Sequence, residues 1–177
     1  GKLDNAGNII WYKVIGGDQD EYFNHVYVTH ENGNEYYIFS GQTLSFDNPP
    51  PMPGTLGTLK GYILKVNVSG DTLWTKAMQQ SGFVGLFNLQ NGTYLMPSDG
   101  QNTVLMKLNA LTGDTISSIP FFYWYSNAFV FNTSPHKVNN AFYIGGNVVS
   151  NATQNTDFML IKTDTLYNTI WAKGYGN

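Results

Sequence analysis

Apolar and polar positions along this 177-residue chain alternate in short runs broken by Asn, Asp and Gly, the pattern of strands and tight turns. Tyr62-Ile63-Leu64-Lys65-Val66 runs into the polar stretch Asn67-Val68-Ser69-Gly70-Asp71 and out again through Thr72-Leu73-Trp74. The same layout returns in "KLDNAGNIIWYK" at 2–13, "KLNALTGDTISS" at 107–118 and "KTDTLYNTIWAK" at 162–173. Aligned on the turn, Asn8, Asp71, Asp114 and Asn168 share one column, Trp11, Trp74, Ser117 and Trp171 a second, and Lys2, Lys65, Lys107 and Lys162 a third. Asp4, Asn67, Asn109 and Asp164 form a fourth, two residues after each lysine. Each copy reads as a β-hairpin whose glycine, Gly7, Gly70 or Gly113, takes a left-handed conformation that other residues resist. The third copy has one extra residue and Ser117 in the tryptophan column, and the fourth has Tyr167 in the glycine column; both mark local remodelling of a retained hairpin.

A second echo lies between the first ones. "HENGNEYYIFSGQ" (30–42), "NLQNGTYLMPSDG" (88–100) and "HKVNNAFYIGGNV" (136–148) each put an Asn/Gly turn before an aromatic strand. Each is preceded by a further apolar run: Phe23 to Val28, Phe83 to Leu89 and Ala128 to Phe131. One repeat therefore holds four strands. Spacings of 63, 42 and 55 residues between the column lysines are those of propeller blades with unequal loops; a solenoid needs a steadier period. The expected fold is all-β, a β-propeller segment of four-stranded antiparallel blades, about three and a half blades of a longer ring. Residues 1–17 would end a preceding blade, and 22–78, 83–119 and 127–175 would each form one. The proline-rich stretch 46–58 breaks the period and is expected to be a surface loop outside the sheet.

Composition narrows the function classes. A formal net charge of −3 with nine lysines and no arginine leaves no basic footprint and no bidentate phosphate or guanine reader, so nucleic acid is excluded as a partner. With no cysteine there is neither disulfide nor thiolate metal site. No apolar run reaches the roughly 18 residues of a membrane-spanning helix.

Candidate chemistry is sparse. His25 and His30 stand an odd number of positions apart in an extended strand, hence on opposite faces, and His136 follows Pro135 in a turn, so no metal site is expected. Asp18, Asp20 and Glu21 follow Gly16-Gly17 in a connection but lack the glycine and distal glutamate of a calcium loop, and read as a solvated acidic turn. No nucleophile elbow, phosphate-cradling loop or His-Glu-x-x-His string occurs. No catalytic residue and no cofactor is assigned. Recurrence of Trp11, Trp74 and Trp171 at one blade position points to packing between repeats. The run Phe121-Phe122-Tyr123-Trp124-Tyr125 repeats nowhere and cannot all point inward from one strand, which makes Tyr123, Trp124 and Tyr125 candidate ligand contacts.

Taken together, Lys2-Leu3-Asp4, Gly7-Asn8, Trp11, Lys13 and Gly16-Gly17, with partial repeats at Lys65, Gly70, Trp74 and Lys76 and at Lys162, Asp164, Trp171, Lys173 and Gly176, resemble the degenerate propeller repeats of large secreted and surface proteins of Bacteroidota. The resemblance spans the whole chain. It implies export through the type IX secretion machinery, an extracellular or cell-surface location, and O-glycosylation at Asp-Thr-apolar sites, here Thr72, Thr115 and Thr165. The function expected is a non-catalytic scaffold, adhesion or interaction segment whose partner is a protein or a surface glycan. The alternative is a carbohydrate-binding or carbohydrate-active module in which Tyr123 and Trp124 cluster with Asp99.

Overall fold

The computed structural model describes residues 1–46, 57–78, 82–83, 85–99, 104–120, 129–131, 135–149 and 155–176, and among them every regular element is a β-strand. The first hairpin pairs β1 (Lys2–Leu3) with β2 (Ile9–Trp11). A four-stranded sheet follows, β3 (Glu21–Glu31), β4 (Asn34–Thr43), β5 (Lys60–Asn67) and β6 (Thr72–Met78), in sequence order with every neighbour antiparallel. The second sheet contains β7 (Gly82–Phe83), β8 (Phe87–Asn88), β9 (Thr93–Asp99), β10 (Val104–Asn109) and β11 (Thr115–Pro120). The third contains β12 (Phe129–Phe131), β13 (His136–Val138), β14 (Ala141–Val149), β15 (Thr156–Thr163) and β16 (Thr169–Tyr175). The sheets are therefore the expected four-stranded antiparallel blades.

The first strand is continuous only in the first sheet. In the second, β7 and β8 both pair with β9, so the run Phe83 to Leu89 is two short strands and not one. Gly85 lies in the gap, where a residue without a side chain gives a strand little to pack. In the third sheet β12 and β13 share β14 in the same way.

Register reproduces the sequence columns. Lys2 faces Trp11, Lys65 faces Trp74, Lys107 faces Ser117 and Lys162 faces Trp171, and in all four hairpins the ladder slips by one residue directly after the lysine. That shared bulge is how a five- or six-residue turn with a left-handed glycine rejoins its strands: Gly7, Gly70 and Gly113 have φ of 86°, 78° and 73°. The β3–β4 connection is a two-residue turn with Asn32 and Gly33 both at positive φ, the geometry that matches strand twist.

The chain forms two compact units, Gly1–Gln79 and Gln80–Asn177. In the first, Phe23 stacks on Tyr62 at 5.5 Å, and Phe39, Leu64 and Val66 line the sheet face that meets hairpin β1–β2. In the second, Leu95 and Leu105 of one sheet meet Phe142, Ile144, Met159 and Ile161 of the next in one buried cluster. Burial of each such side chain contributes about 1.5–3 kcal/mol, which makes sheet-to-sheet packing the main source of stability here.

Candidate functional site

The recurring polar residues build the turns. Asp4 Oδ1 accepts from the backbone N–H of Ala6 and of Asn8, both at 2.8 Å, while Asn8 Nδ2 donates to Asp4 Oδ2 at 2.9 Å. Turn 164–168 repeats this arrangement with Asp164 and Asn168. Turn 67–71 exchanges the two groups: Asn67 Oδ1 accepts from Ser69 and Asp71, and Asn67 Nδ2 donates to Asp71 Oδ2 at 3.1 Å. Each of these turns thus holds one amide and one carboxylate, since two carboxylates would repel and two amides would give up the charge-assisted bond. In the longer turn Asn109 still accepts from Leu111 and Thr112, and the Thr112 hydroxyl donates to Asp114 at 2.7 Å. The amide of Asn8 holds the Asp4 carboxyl below its ordinary value, and Asn168 does the same for Asp164. For Asp71 the first cause is Lys13 and the second Asn67.

Hairpin β1–β2 is fastened to the sheet that follows it. Its Trp11 indole lies against Gly70, where an added Cβ would sit 2.8 Å from the ring, and Trp11 Nε1 donates to the Val68 carbonyl at 2.9 Å. Lys13 Nζ meets Asp71 Oδ1 at 2.8 Å. Lys2 Nζ donates to the Tyr37 hydroxyl, which donates to Glu35, and the Trp11 and Tyr37 rings stand 6.4 Å apart. The tryptophan and the second lysine of one hairpin therefore grip the glycine and aspartate of the next turn. Beside this contact lies an apolar cavity of about 370 Å³ lined by Trp11, Lys13, Ile15, Phe23, Phe39 and Leu64 among others. Its one cationic side chain, Lys13, is already paired with Asp71, so the cavity offers no acid–base couple.

The two remodelled hairpins belong together. The third has Ser117 and Ile119 in the columns of Trp11 and Lys13, and the turn of the fourth has Tyr167 and Asn168 in the columns of Gly70 and Asp71. Tyr167 adopts φ 69°, a conformation costly for a residue with a Cβ, and its ring packs 5.3 Å from Phe142 against the cluster that Ile119 also joins. Burial pushes its phenol up. The aromatic has moved from the gripping hairpin to the gripped turn.

Other candidate residues are dispersed. Trp74 is buried, while Trp11 and Trp171 are half-buried. Exposed Thr72 and Thr115 open β6 and β11, and exposed Thr165 sits in its turn. Tyr123, Trp124 and Tyr125 lie outside the described residues, and with them any clustering with Asp99. The stretch 47–56 of the proline-rich segment also lies outside; on its flanks, Lys60 Nζ donates to the Phe46 carbonyl and Gly57 N–H to Gln19 Oε1. His25 stacks on Tyr27, His30 stands 3.6 Å from Glu35, and His136 is exposed in β13. Asp20 accepts from the Tyr22 hydroxyl at 3.1 Å and Glu21 from the Thr43 hydroxyl at 2.8 Å, so these carboxylates turn to different partners. Among the described residues no group of three or more His, Cys, Asp or Glu gathers, and no helix is long and apolar enough to cross a membrane. The grip itself was not anticipated; the signal for it was the lysine two positions after each tryptophan and the aspartate directly after two of the glycines.

No family model and no curated protein matches the chain. Among solved structures it is similar to the crystal structure of BamB from Moraxella catarrhalis, with 11% identity and a TM-score of 0.40, over 81% of this chain and 62% of that one.

Proposed function

We propose that this chain is a non-catalytic scaffold and interaction segment of an exported surface protein. The observation that carries the reading is that the recurring polar side chains are used within the repeat: Asp4, Asn8, Asn67, Asp71, Asp164 and Asn168 close turns, and Lys2, Lys13 and Lys65 pair with Tyr37, Asp71 and Glu31. A catalytic site needs a unique, convergent set of groups, whereas these groups recur because each hairpin needs them. The repeat pattern shared with secreted Bacteroidota proteins supports export by type IX secretion, with a protein or surface glycan as partner. In this reading 22–78, 83–119 and 127–175 are successive blades, and Thr72, Thr115 and Thr165 are glycan acceptors. A screen of the full chain against glycan, peptide and ester substrates, with Asp18→Asn and Asp20→Asn alongside, tests it. No turnover is expected; turnover that disappears in either variant with unchanged melting overturns the reading. Intact mass of protein purified from its native host tests the export arm, with added hexose masses mapping to the three threonines as the expected result.

A further inference from the structure

The scaffold reading gives the Asn/Gly turns before the aromatic strands no chemistry of their own. Asn-Gly stands at Asn32-Gly33 and at Asn91-Gly92, and the third such turn has Asn139-Asn140. The pair is reactive because glycine has no Cβ, so its backbone nitrogen is unshielded and mobile beside the side-chain carbonyl carbon of the asparagine before it. The two turns hold the pair differently. Asn32 and Gly33, at φ 50° and 80°, make up the whole link between β3 and β4, with Glu31 and Asn34 paired directly across it. The link between β8 and β9 is longer, running from Leu89 to Gly92, and leaves the chain more freedom to bring nitrogen and carbon together.

Asn91 and Gly92 are exposed, and nothing lies within 4 Å of a Cβ added to Gly92, so water reaches both residues. Among the described residues the Gly92 N–H donates to no partner, while its carbonyl accepts from the N–H of buried Ala110 at 2.9 Å. The Thr93 hydroxyl donates to Asn91 Oδ1, which carries the asparagine side chain forward across the Gly92 peptide. Oδ1 is the atom that becomes negative when a nucleophile adds to Cγ, so Thr93 supplies a donor already aimed at the developing charge. Two residues after Asn32 stands Asn34 in place of a hydroxyl, and the ladder opposite Glu31 holds it.

We propose that Asn91 is a self-modifying site, converted to isoaspartate and aspartate by the Gly92 nitrogen with Thr93 as oxyanion donor. The Gly92 nitrogen gives its proton to solvent base and bonds to Asn91 Cγ, and the carbonyl electron pair moves onto Oδ1 under the Thr93 hydroxyl. The pair returns, the Cγ–Nδ2 bond breaks, and Nδ2 leaves with a proton from water as ammonia, closing a succinimide. Water then opens the ring at either carbonyl. Asparagine plus water thus becomes a carboxylate plus ammonia, with no oxidation. Opening at the Asn91 main-chain carbonyl puts a methylene into the backbone between Asn91 and Gly92 and moves the Gly92 carbonyl away from Ala110, so the conversion adds a negative charge and unfastens turn 88–92 from turn 109–114.

The test is a time course of the folded full chain at mildly alkaline pH, digested after lysine so that Asn32 falls in peptide 14–60 and Asn91 in peptide 77–107, with mass spectrometry that separates isoaspartate from aspartate. Asn91 is expected to convert about five-fold faster than Asn32, the rate equivalent of one hydrogen bond that strengthens as charge develops. Thr93→Val should remove that lead and Thr93→Ser keep it, with circular dichroism melts confirming that both variants fold. A hydroxyl that merely stiffened the turn would have the opposite sign, since its loss would speed Asn91. In concentrated urea, which unfolds the turns, the two sites of the parent chain should convert at similar rates. Hydrogen exchange of converted protein should show lost protection at the Ala110 amide. Asn32 keeping pace with Asn91 in the folded chain, a Thr93→Val variant that converts as fast or faster, a lead that persists in urea, or an Ala110 amide as protected as before would each overturn the proposal.

Discussion

At the scale of single residues, the turn glycines do two separable things. Gly7 and Gly70 share a left-handed backbone, but only Gly70 also lies under an indole. Gly7→Ala is therefore expected to cost about 1–2 kcal/mol, the strain of that conformation alone. Gly70→Ala should cost about 3 kcal/mol because Trp11 must also move, and on a Trp11→Ala background the same substitution should cost only about as much as Gly7→Ala; urea unfolding of the parent, the three single variants and the double variant checks this. The turn carboxylates respond to pH with a definite sign. Asp4, Asp71 and Asp164 have folded pKa values below their ordinary ones, so the unfolded chain takes up their protons first as pH falls. Their stabilisation is whole above the ordinary carboxylate value near pH 4 and drains away as pH drops through the depressed folded values. The melting temperature of the parent chain should be flat from about pH 8 to pH 5 and fall below about pH 4. A triple Asn variant at the three positions should start lower and fall less steeply across that acid limb.

At the scale of elements, the fourth hairpin shows how one contact can be built from either side. Where Ser117 replaces the gripping tryptophan, Tyr167 replaces the gripped glycine and enters the core cluster. Tyr167→Gly relieves a strained φ but removes a half-buried ring, and is expected to destabilise by about 2 kcal/mol. Ser117→Trp on that background should recover more than half of the loss, while Ser117→Trp alone, with Tyr167 in place, should destabilise. A double-mutant cycle by chemical denaturation measures the coupling, and additive effects would show that the two departures are unrelated. Both departures are visible along the chain, and the shared register makes their equivalence plain. Their connection was not legible, because they lie in separate hairpins that meet through Ile119 and Tyr167 at the Phe142 cluster.

At the scale of the whole molecule, the two compact units have separate sources of stability. All six residues of the cluster around Phe142 lie between Leu95 and Ile161, within the second unit. Residues 80–177 expressed alone should accordingly fold, with a β-type far-ultraviolet spectrum, dispersed amide resonances and one cooperative melt; a broad, non-cooperative transition would show that the unit depends on the rest of the chain. Within residues 1–79, hairpin β1–β2 has few internal contacts and is held to its sheet by Trp11, Lys13 and Lys2. Trp11→Ala should release it, seen as fast hydrogen exchange confined to residues 2–13 while β3–β6 stay protected.

The sequence by itself determined the all-β class, the four-strand repeat and the glycine turns, because alternation, left-handed glycine and Asx chemistry act over a few adjacent residues; that the lysine and tryptophan columns face each other came from the ladders. Tertiary structure decided what those residues are used for. The grip of Trp11 on Gly70, the pairing of Lys13 with Asp71, the role of Tyr37 and the reversal at Tyr167 join positions tens of residues apart, and nothing local marks the partner. The split first strand of the second sheet lies between these cases: Gly85 interrupts the apolar run in sequence, and the ladder to β9 shows that the strand divides there. Propensity acts on neighbours along the chain, whereas the faces that bury apolar area are chosen by sheets that meet only after folding.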